Sequence, residues 1–224
     1  MTALDPDQYN QAAYLGRGKV PTGGFLVSGV KCSDPNIGKL IPSPHSVAKA
    51  KQVLTAAGYT ESNGKFSKGG KALTLNILGQ QLARPGAEYL ATTLDQAGFT
   101  TNLQVVDATN FSTLVRNLSF DITQLTIGGQ TVTWGSYLPF VAGGKLVTEG
   151  GVNRTGIFDP AIDQAYAAYL SSTTAADQCK NMNAFQQRIL EKHYIMPMVA
   201  GSKDLFAKNF TPYDVAWAIL RTKA

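Results

Sequence analysis

The feature of this sequence that most constrains its fold is an alternation of strand and helix patterns in the middle of the chain. Apolar residues at every second position predict three strands, over 72–78, 101–106 and 120–127. Between them, apolar residues three and four positions apart predict helices over 84–97 and 109–117. Short connections in this order favour a mainly parallel sheet with right-handed crossovers. The sequence therefore predicts an α/β fold with a mainly parallel central sheet flanked by helices.

Further elements are predicted on both sides of this alternation. Asp5 and Asp159 each precede a proline, which suits the first turn of a helix, and Gly58 suits a helix end. On these signals and the apolar spacing we predict four more helices, over 5–16, 45–57, 160–170 and 175–192. We also predict short strands over 195–199, 204–207 and 215–220. The loop over 19–42 is long, which is typical of a segment that is functional or anchored elsewhere.

Composition excludes several classes of protein. With 224 residues, 44% of them hydrophobic and 16% charged, the chain is an ordinary folded protein and not a disordered one. It contains no apolar run long enough for a membrane span. The net charge is +5, and the densest basic group, Lys65 to Lys71, lacks the arginines and stacking aromatics of a nucleic-acid site. We interpret that group as a solvated hairpin tip and expect no nucleic-acid partner.

The two cysteines leave two alternatives open. Cys32 and Cys179 could form one bridge in an exported protein, or they could be unrelated thiols. Neither His45 nor His193 has zinc-ligand spacing to a cysteine, so we expect no metal. The chain also lacks a Gly-x-Ser-x-Gly elbow, a Walker loop and a His-Glu-x-x-His motif. No catalytic motif is therefore recognisable.

Several patches resemble one known family. The helix over 45–57 lies within Pro-His-Ser-Val-Ala-Lys-Ala-Lys-Gln-Val-Leu-Thr-Ala-Ala-Gly-Tyr, which is similar to the Pro-x-x-Ala-Lys-x-Leu-Leu-x-x-Ala-Gly-Tyr segment of extracellular solute-binding proteins of family 5. These proteins serve peptide, oligopeptide and nickel ABC importers. Four further patches fit in order: Leu94 to Phe99, Phe120-Asp121, Asn153 to Asp163 and Ile195 to Met198. The resemblance covers the chain from Asp5 to about Phe210.

The resemblance implies the architecture and the setting of the chain. The order of elements looks like the C-terminal lobe of these receptors, a type II periplasmic-binding-protein-like lobe. Whole members of the family are about twice as long, so we expect residues 1–224 to be a single lobe that lacks its N-terminal partner lobe. The family is extracytoplasmic, often as a lipoprotein. The polar start Met1 to Asn10 has no signal-peptide core, which fits an expressed fragment of a longer exported protein.

Candidate ligand-binding residues follow the third predicted strand. Ligands of open α/β sheets bind beyond the carboxyl ends of strands, and in the family the corresponding segment lines the cleft. We predict ligand contacts from Gly129, Gln130, Thr131, Trp134 and Tyr137, although either aromatic ring could instead pack in the core. The resemblance implies an acidic residue here for peptide ligands, yet no Asp or Glu lies between positions 121 and 149. This departure argues against a plain peptide with a free amino group.

Arg154 is a further candidate, either meeting an anionic group or standing as a solvated loop residue. The resemblance implies a receptor that captures a peptide-like or other small solute, delivers it to ABC permease subunits, and needs no cofactor and no catalysis. The alternative is an α/β hydrolase or transferase with a non-standard site, which needs a serine or cysteine nucleophile near His45 or His193. A third interpretation is a cytosolic interaction domain in which both cysteines stay reduced.

Overall fold

The structure, a computed structural model, describes residues 1–25, 31–125 and 143–200, together with the backbone of 210–214 and 219–222. Its helices are α1 Pro6–Tyr14, α2 Pro35–Gly38, α3 Val47–Ala56, α4 Arg84–Gln96, α5 Ala108–Arg116, α6 Pro160–Ser171 and α7 Ala175–Glu191. Its strands are β1 Thr60–Ser62, β2 Lys65–Lys68, β3 Lys71–Ala72, β4 Thr74–Gln80, β5 Thr100–Val106, β6 Ile122–Thr123, β7 Phe210–Asp214 and β8 Ile219–Thr222. Strands β7 and β8 form an antiparallel pair.

The central sheet has the order β5–β4–β6, and both pairings are parallel. One face of β4 carries Ile77, which packs with Leu90 and Leu94 of α4. The opposite face carries Leu78, which packs with Phe111 and Val115 of α5. Because successive side chains of a strand point to opposite faces, each helix covers one side of the sheet. The prediction of an α/β fold with a parallel sheet flanked by helices is confirmed.

Lys65 to Lys71, predicted as a solvated hairpin tip, contain the exposed turn between β2 and β3, and these two strands form with β1 an antiparallel meander that the sequence did not predict. Phe66 of β2 is only 1% exposed, and its amide donates to the Gly98 carbonyl at 2.8 Å. Gly98 has φ of +97°, and a Cβ there would lie 2.4 Å from the Phe66 ring, so glycine is required at this close approach. The meander is therefore anchored at the amino end of β5 by one buried ring.

Other predicted elements differ from the structure in extent. Strand β6 covers only two residues of the predicted 120–127, and positions 126 and 127 lie outside the described residues. The predicted strand over 195–199 does not form, but Ala200 makes an antiparallel bridge with Lys19. The strand predicted over 204–207 lies outside the described residues, while β8 overlaps the end of the one predicted over 215–220.

Helix α3 forms where it was predicted, with Ser46 as its cap, but its apolar face is only partly buried. Ala50 packs against Ala3 and Ala97, whereas Val53 is 53% exposed. The contact is made by small side chains, so it covers one narrow stripe of the helix and leaves the neighbouring valine in solvent. The periodicity predicted the helix correctly and overestimated its buried surface.

A second core lies between α6 and α7. It consists of Ile162, Met182, Phe185 and Ile189, against which Phe25 and Cys32 of the long N-terminal loop pack. Cys32 forms a disulfide with Cys179 of α7, which settles the question left open by the sequence. The backbone amide of Phe25 also donates to the fully buried Gln186 side chain at 2.9 Å. The long loop is thus anchored to α7.

Candidate ligand-binding site at the carboxyl edge of the sheet

The three parallel strands end at one edge of the sheet. The register pairs Gln80 with Val106 and Leu78 with Thr123, so the carboxyl ends of β4, β5 and β6 lie side by side. Such an edge is where open α/β sheets bind ligands. From it β4 continues through a short turn, Gln81–Ala83, into α4, and Leu82 at this turn is 89% exposed. This edge is the candidate site.

The sequence-predicted contact residues follow β6 from this edge. Gly129, Gln130, Thr131, Trp134 and Tyr137 lie outside the described residues, and their roles stay predictions. The structure describes the chain as far as Leu125, two residues beyond the end of β6. The described residues therefore include the start of the chain that leaves β6 at the carboxyl edge toward the predicted binding segment.

A hydrogen-bonded cluster of Tyr9, Gln124 and Ala83 lies at the end of β6. The Gln124 Oε1 accepts from the Tyr9 hydroxyl at 2.8 Å, and the Gln124 Nε2 donates to the Ala83 carbonyl. Gly86, in the first turn of α4, allows this contact because a Cβ there would lie 2.4 Å from Gln124 Oε1. No pattern in the sequence marks Tyr9 as part of this cluster. The one sequence signal for Gln124 was a polar residue on the face of the third strand that carries Phe120 and Ile122.

Aromatic packing fixes the position of Tyr9. Its ring meets that of Tyr89 edge-on at 5.7 Å and that of Tyr14 at 6.3 Å. The Tyr89 hydroxyl in turn donates to the Asp5 carbonyl at 3.0 Å and accepts from the Asp5 amide at 2.9 Å. Burial, and secondarily the nearby Tyr14, raises the pKa of Tyr9 to about 12. The phenol is therefore a hydrogen-bond donor throughout the physiological pH range.

This raised pKa predicts a loss of stability in alkali. The pKa of Tyr9 is higher in the folded state, about 12, than in the unfolded state, about 10. Its contribution to stability is therefore fully present below pH 10 and is lost as pH rises toward 12. We expect the unfolding free energy of Tyr9→Phe to fall less steeply above pH 10, by roughly 1 kcal/mol per pH unit. Urea unfolding of both proteins from pH 8 to 11.5 measures this. Parallel profiles would contradict it.

Arg154 lies in a separate, tightly built loop before α6. Its neighbour Asn153 is 1% exposed and donates to the Ile157 carbonyl at 2.9 Å. The Asn153 Oδ1 accepts from the amides of Thr155 and Gly156 at 3.0 and 3.1 Å. The family-like segment here is thus a structural turn, in which Arg154 is half-buried. A ligand contact by Arg154 stays a prediction.

Asp159, in the same segment, is a structural residue. It is 4% exposed, caps α6 through the Ala161 amide at 3.0 Å, and accepts from Arg188 Nε at 2.7 Å and the Tyr194 hydroxyl at 3.1 Å. Hydrogen bonding from Arg188, which outweighs burial, lowers the pKa of Asp159 below its ordinary value. The Asp159 carboxylate thus joins α6, α7 and the turn after α7 by hydrogen bonds, and we assign it a structural role.

The geometry does not favour the hydrolase alternative. Both cysteines are oxidised in the disulfide, so neither is a thiol nucleophile. Within the described ranges, no hydrogen bond joins His45 or His193 to a serine, and no three His, Cys, Asp or Glu side chains meet as a metal site. No helix among those described has the length and apolar character needed to cross a bilayer.

Another concave surface lies on the sheet itself. A shallow cavity of about 220 Å³ lies on the sheet face between β4 and β5, lined by Asn76, Asn102, Gln104 and neighbouring residues. Its two asparagines already have partners: Asn102 Nδ2 donates to Asn76 Oδ1 at 3.1 Å, and Asn76 Nδ2 donates to Asp121 at 2.9 Å. Because these two amides are engaged within the sheet, we favour the carboxyl edge as the site.

A parallel sheet with helices on both faces, with its candidate site at the carboxyl edge, fits a lobe of the periplasmic-binding-protein type. Residues 1–145 match the family model of bacterial extracellular solute-binding proteins, family 5 Middle. The chain belongs to this family of solute-binding proteins. Comparison with curated protein sequences finds no match.

Solved structures support the same fold. A dipeptide-binding protein of Pseudoalteromonas sp. SM9913, in complex with Met-Leu, matches with TM-score 0.74 and 19% identity, over 99% of this chain and 44% of its own. The oligopeptide-binding protein of Bacillus subtilis, in complex with a nonapeptide, matches with TM-score 0.71 and 20% identity, over 89% of this chain and 40% of its own. NikA of Brucella suis, in complex with Fe(III)-EDTA, matches with TM-score 0.72 and 17% identity, over 99% of this chain and 46% of its own. The chain thus spans less than half the length of these proteins.

Proposed function

We propose that this chain is the C-terminal ligand-binding lobe of an extracytoplasmic receptor for an ABC importer. The observation that carries the proposal is the family match over residues 1–145, which includes the carboxyl edge and the segment after β6. In this role the lobe captures a small solute and, with an N-terminal lobe, presents it to permease subunits. It performs no chemistry on the solute and requires no cofactor.

The disulfide supports an extracytoplasmic setting. Disulfides persist in oxidising compartments and are rare in the reducing cytosol. The Cys32–Cys179 bridge is integral to the α6–α7 core, where Cys32 packs with the buried cluster. A protein whose core includes such a bridge is suited to the periplasm or the cell surface. The third interpretation, a cytosolic domain with reduced cysteines, is correspondingly disfavoured.

The ligand in this proposal is peptide-like or another small solute. The similar structures are complexes with a dipeptide, a nonapeptide and a chelated iron, so the fold alone does not choose among these ligands. Between Asp121 and Glu149 the sequence has no carboxylate to pair with a free amino group. The segment offers instead the uncharged donors and acceptors of Gln130 and Thr131, and the ring of Trp134. We therefore propose recognition by stacking and hydrogen bonding.

Affinity in this mechanism arises from closure of two lobes on the solute, a hinge motion that removes it from water. One lobe supplies one wall of the cleft, so the 224-residue chain alone should bind weakly. Calorimetric titration with dipeptides to nonapeptides, each with a free and with an acetylated amino terminus, tests this. Tight binding by the isolated chain would overturn the half-site mechanism, and no binding by a two-lobed receptor would overturn the peptide ligand.

The role of Trp134 gives a specific expectation. Trp134→Ala should weaken ligand binding about tenfold, because loss of one stacking ring removes roughly 1–1.5 kcal/mol in addition to buried area. A matched aromatic control is Tyr59→Ala, since Tyr59 lies in the peripheral region beside the meander, with Lys68 Nζ 5.2 Å from its ring. Calorimetry should show unchanged affinity for Tyr59→Ala. Equal effects of the two substitutions would remove Trp134 from the site.

A further inference from the structure

We propose that strand β5 is an interaction surface for a second copy of this chain: the β5 strands of two copies pair antiparallel about a two-fold axis at Leu103. Strand β5 is the outer strand of the central sheet, in the order β5–β4–β6, and it pairs with β4 along its whole length. Among the described residues, no strand pairs with its other edge. The pairing needs neither a solute nor a permease, so it goes beyond the proposed function and is independent of it.

The backbone groups of three residues point out of this free edge. The Thr100 amide donates to the Leu73 carbonyl at 2.9 Å, so the backbone groups of Thr100 are directed toward β4. Because residues of a ladder alternate between bonding one side and the other, every second residue from Thr100 faces β4. Thr101, Leu103 and Val105 consequently direct their N–H and C=O groups away from the sheet. These groups form the row to which an added strand would bond.

The free edge is open and carries no device against strand addition. Its three middle residues, 102–104, are all exposed, and because their side chains alternate in direction, both faces are accessible there. Edge strands of soluble proteins are commonly protected by charges, proline, bulges or very short length. Positions 100–106 contain no charge and no proline, and their register with β4 has no bulge. By contrast, the outer strands of the meander have only three and two residues and carry Glu61 and Lys71.

The edge is complementary to itself, which favours a second copy as its partner. With Leu103 opposite Leu103, Thr101 lies opposite Val105, and each opposed pair can exchange two backbone hydrogen bonds. Both copies then use the same surface, as a closed two-fold dimer requires. The two Leu103 side chains, each 37% exposed in one copy, lie on the same face and cover each other. On the opposite face, Asn102 lies beside Gln104 of the second copy, and both amides can donate and accept.

Charges at the two ends of the edge favour the antiparallel direction. At the amino end, the Lys65 Nζ donates to the Phe99 carbonyl at 2.8 Å. At the carboxyl end, the exposed Asp107 follows β5 directly. The register centred on Leu103 brings Phe99 opposite Asp107 of the second copy, so opposite charges approach each other at both ends. Because Asp95 already pairs with Lys65, this contact selects the direction of pairing more than it adds affinity.

Sedimentation of the 224-residue chain measures the association. One pair of edge strands buries a small area, so we expect a weak monomer–dimer equilibrium between about 1 µM and about 1 mM. Leu103→Lys places like charges directly opposite each other and should raise the dimer dissociation constant about tenfold. The matched control is Leu170→Lys on α6, where the leucine is 63% exposed and lies outside the sheet. Its dissociation constant should stay within about twofold of wild type.

Cysteine cross-linking tests the register. The two native cysteines are bonded to each other, so a cysteine introduced into β5 is the only free thiol. Opposed residues of a hydrogen-bonded antiparallel pair have Cα atoms about 5.5 Å apart, within the span of a disulfide. Leu103→Cys should therefore form a covalent dimer on mild oxidation. Thr101→Cys should not, because it faces Val105, and the same position of the second copy lies about 13 Å further along the strand.

Three results would overturn the pairing: monomers over the whole concentration range, equal effects of Leu103→Lys and Leu170→Lys, or equal cross-linking of Leu103→Cys and Thr101→Cys. A chain that stays monomeric, but whose binding of nonapeptides is weakened by Leu103→Lys, would assign the edge to an extended peptide and also overturns the proposal. Dimers that cross-link through Leu103→Cys in a chain that binds no solute support the pairing, whatever the outcome for the proposed function.

Discussion

Removal of the Cys32–Cys179 bridge should lower the unfolding free energy by about 4–5 kcal/mol. The two cysteines are 147 positions apart, so the bridge closes a long loop and strongly restricts the unfolded chain. For a protein of this size that loss corresponds to a melting temperature lower by roughly 10–15 °C. Urea and thermal unfolding, each with and without reductant, measure the effect. The Cys32→Ser/Cys179→Ser protein should match the reduced wild type.

The double serine protein is also the control for the reductant. Because it has no bridge, reductant should leave its stability unchanged. A second comparison, Gln186→Leu, removes the hydrogen bond to the Phe25 amide while the disulfide remains. We expect this substitution to be destabilising but by a smaller amount, since the loop stays covalently attached. A reductant effect on the serine protein as large as on wild type would contradict the assignment of the stability to the bridge.

The parallel sheet was predictable from the sequence because its signals are local. Strand β4 and helices α4 and α5 carry apolar residues at the spacing of the face they bury, and helix ends coincide with residues such as Gly98. In β5 the predicted apolar face is not buried, and Leu103 is 37% exposed. The meander was missed for the opposite reason. Its stability depends on Phe66 meeting Gly98, more than thirty positions along the chain, and lysines surround that single ring. The local sequence pattern therefore predicts only an exposed, charged segment.

The sheet edge that we favour as the candidate site was predictable from the sequence, and its polar contacts were not. The strand order located it at the carboxyl edge, since parallel strands end together. The Gln124–Tyr9 hydrogen bond joins residues 115 positions apart, and no local pattern marks Tyr9 as its partner. Likewise, Asp159 was predicted as a helix cap, whereas its pairing with Arg188 depends on the packing of α6 against α7. Long-range polar pairs are what the sequence pattern leaves out.

The ion pair of Asp159 gives the second large expected effect. Asp159→Ala should lower the unfolding free energy by about 3 kcal/mol, because it removes the cap of α6 and leaves Arg188 and the Tyr194 hydroxyl without this acceptor. Arg188 is partly exposed, with 35% of its side chain accessible, so water compensates part of its loss. Urea unfolding at pH 7 measures the difference between the two proteins.

Asp107→Ala is the matched control for this ion pair. Asp107 caps α5 through the amides of Thr109 and Asn110 at 2.9 and 3.0 Å, but it is exposed and has no arginine partner in the described salt bridges. We expect a clearly smaller loss.

Acid should also narrow the difference in unfolding free energy between wild type and Asp159→Ala. Because the pKa of Asp159 is lower in the folded state, its carboxylate stabilises the folded protein fully above the ordinary carboxyl pKa, near pH 4. This contribution is lost as pH falls below that value. A gap that does not narrow as pH falls below the ordinary carboxyl range would mean that the shape of the Asp159 side chain, and not its charge, holds α6 to α7.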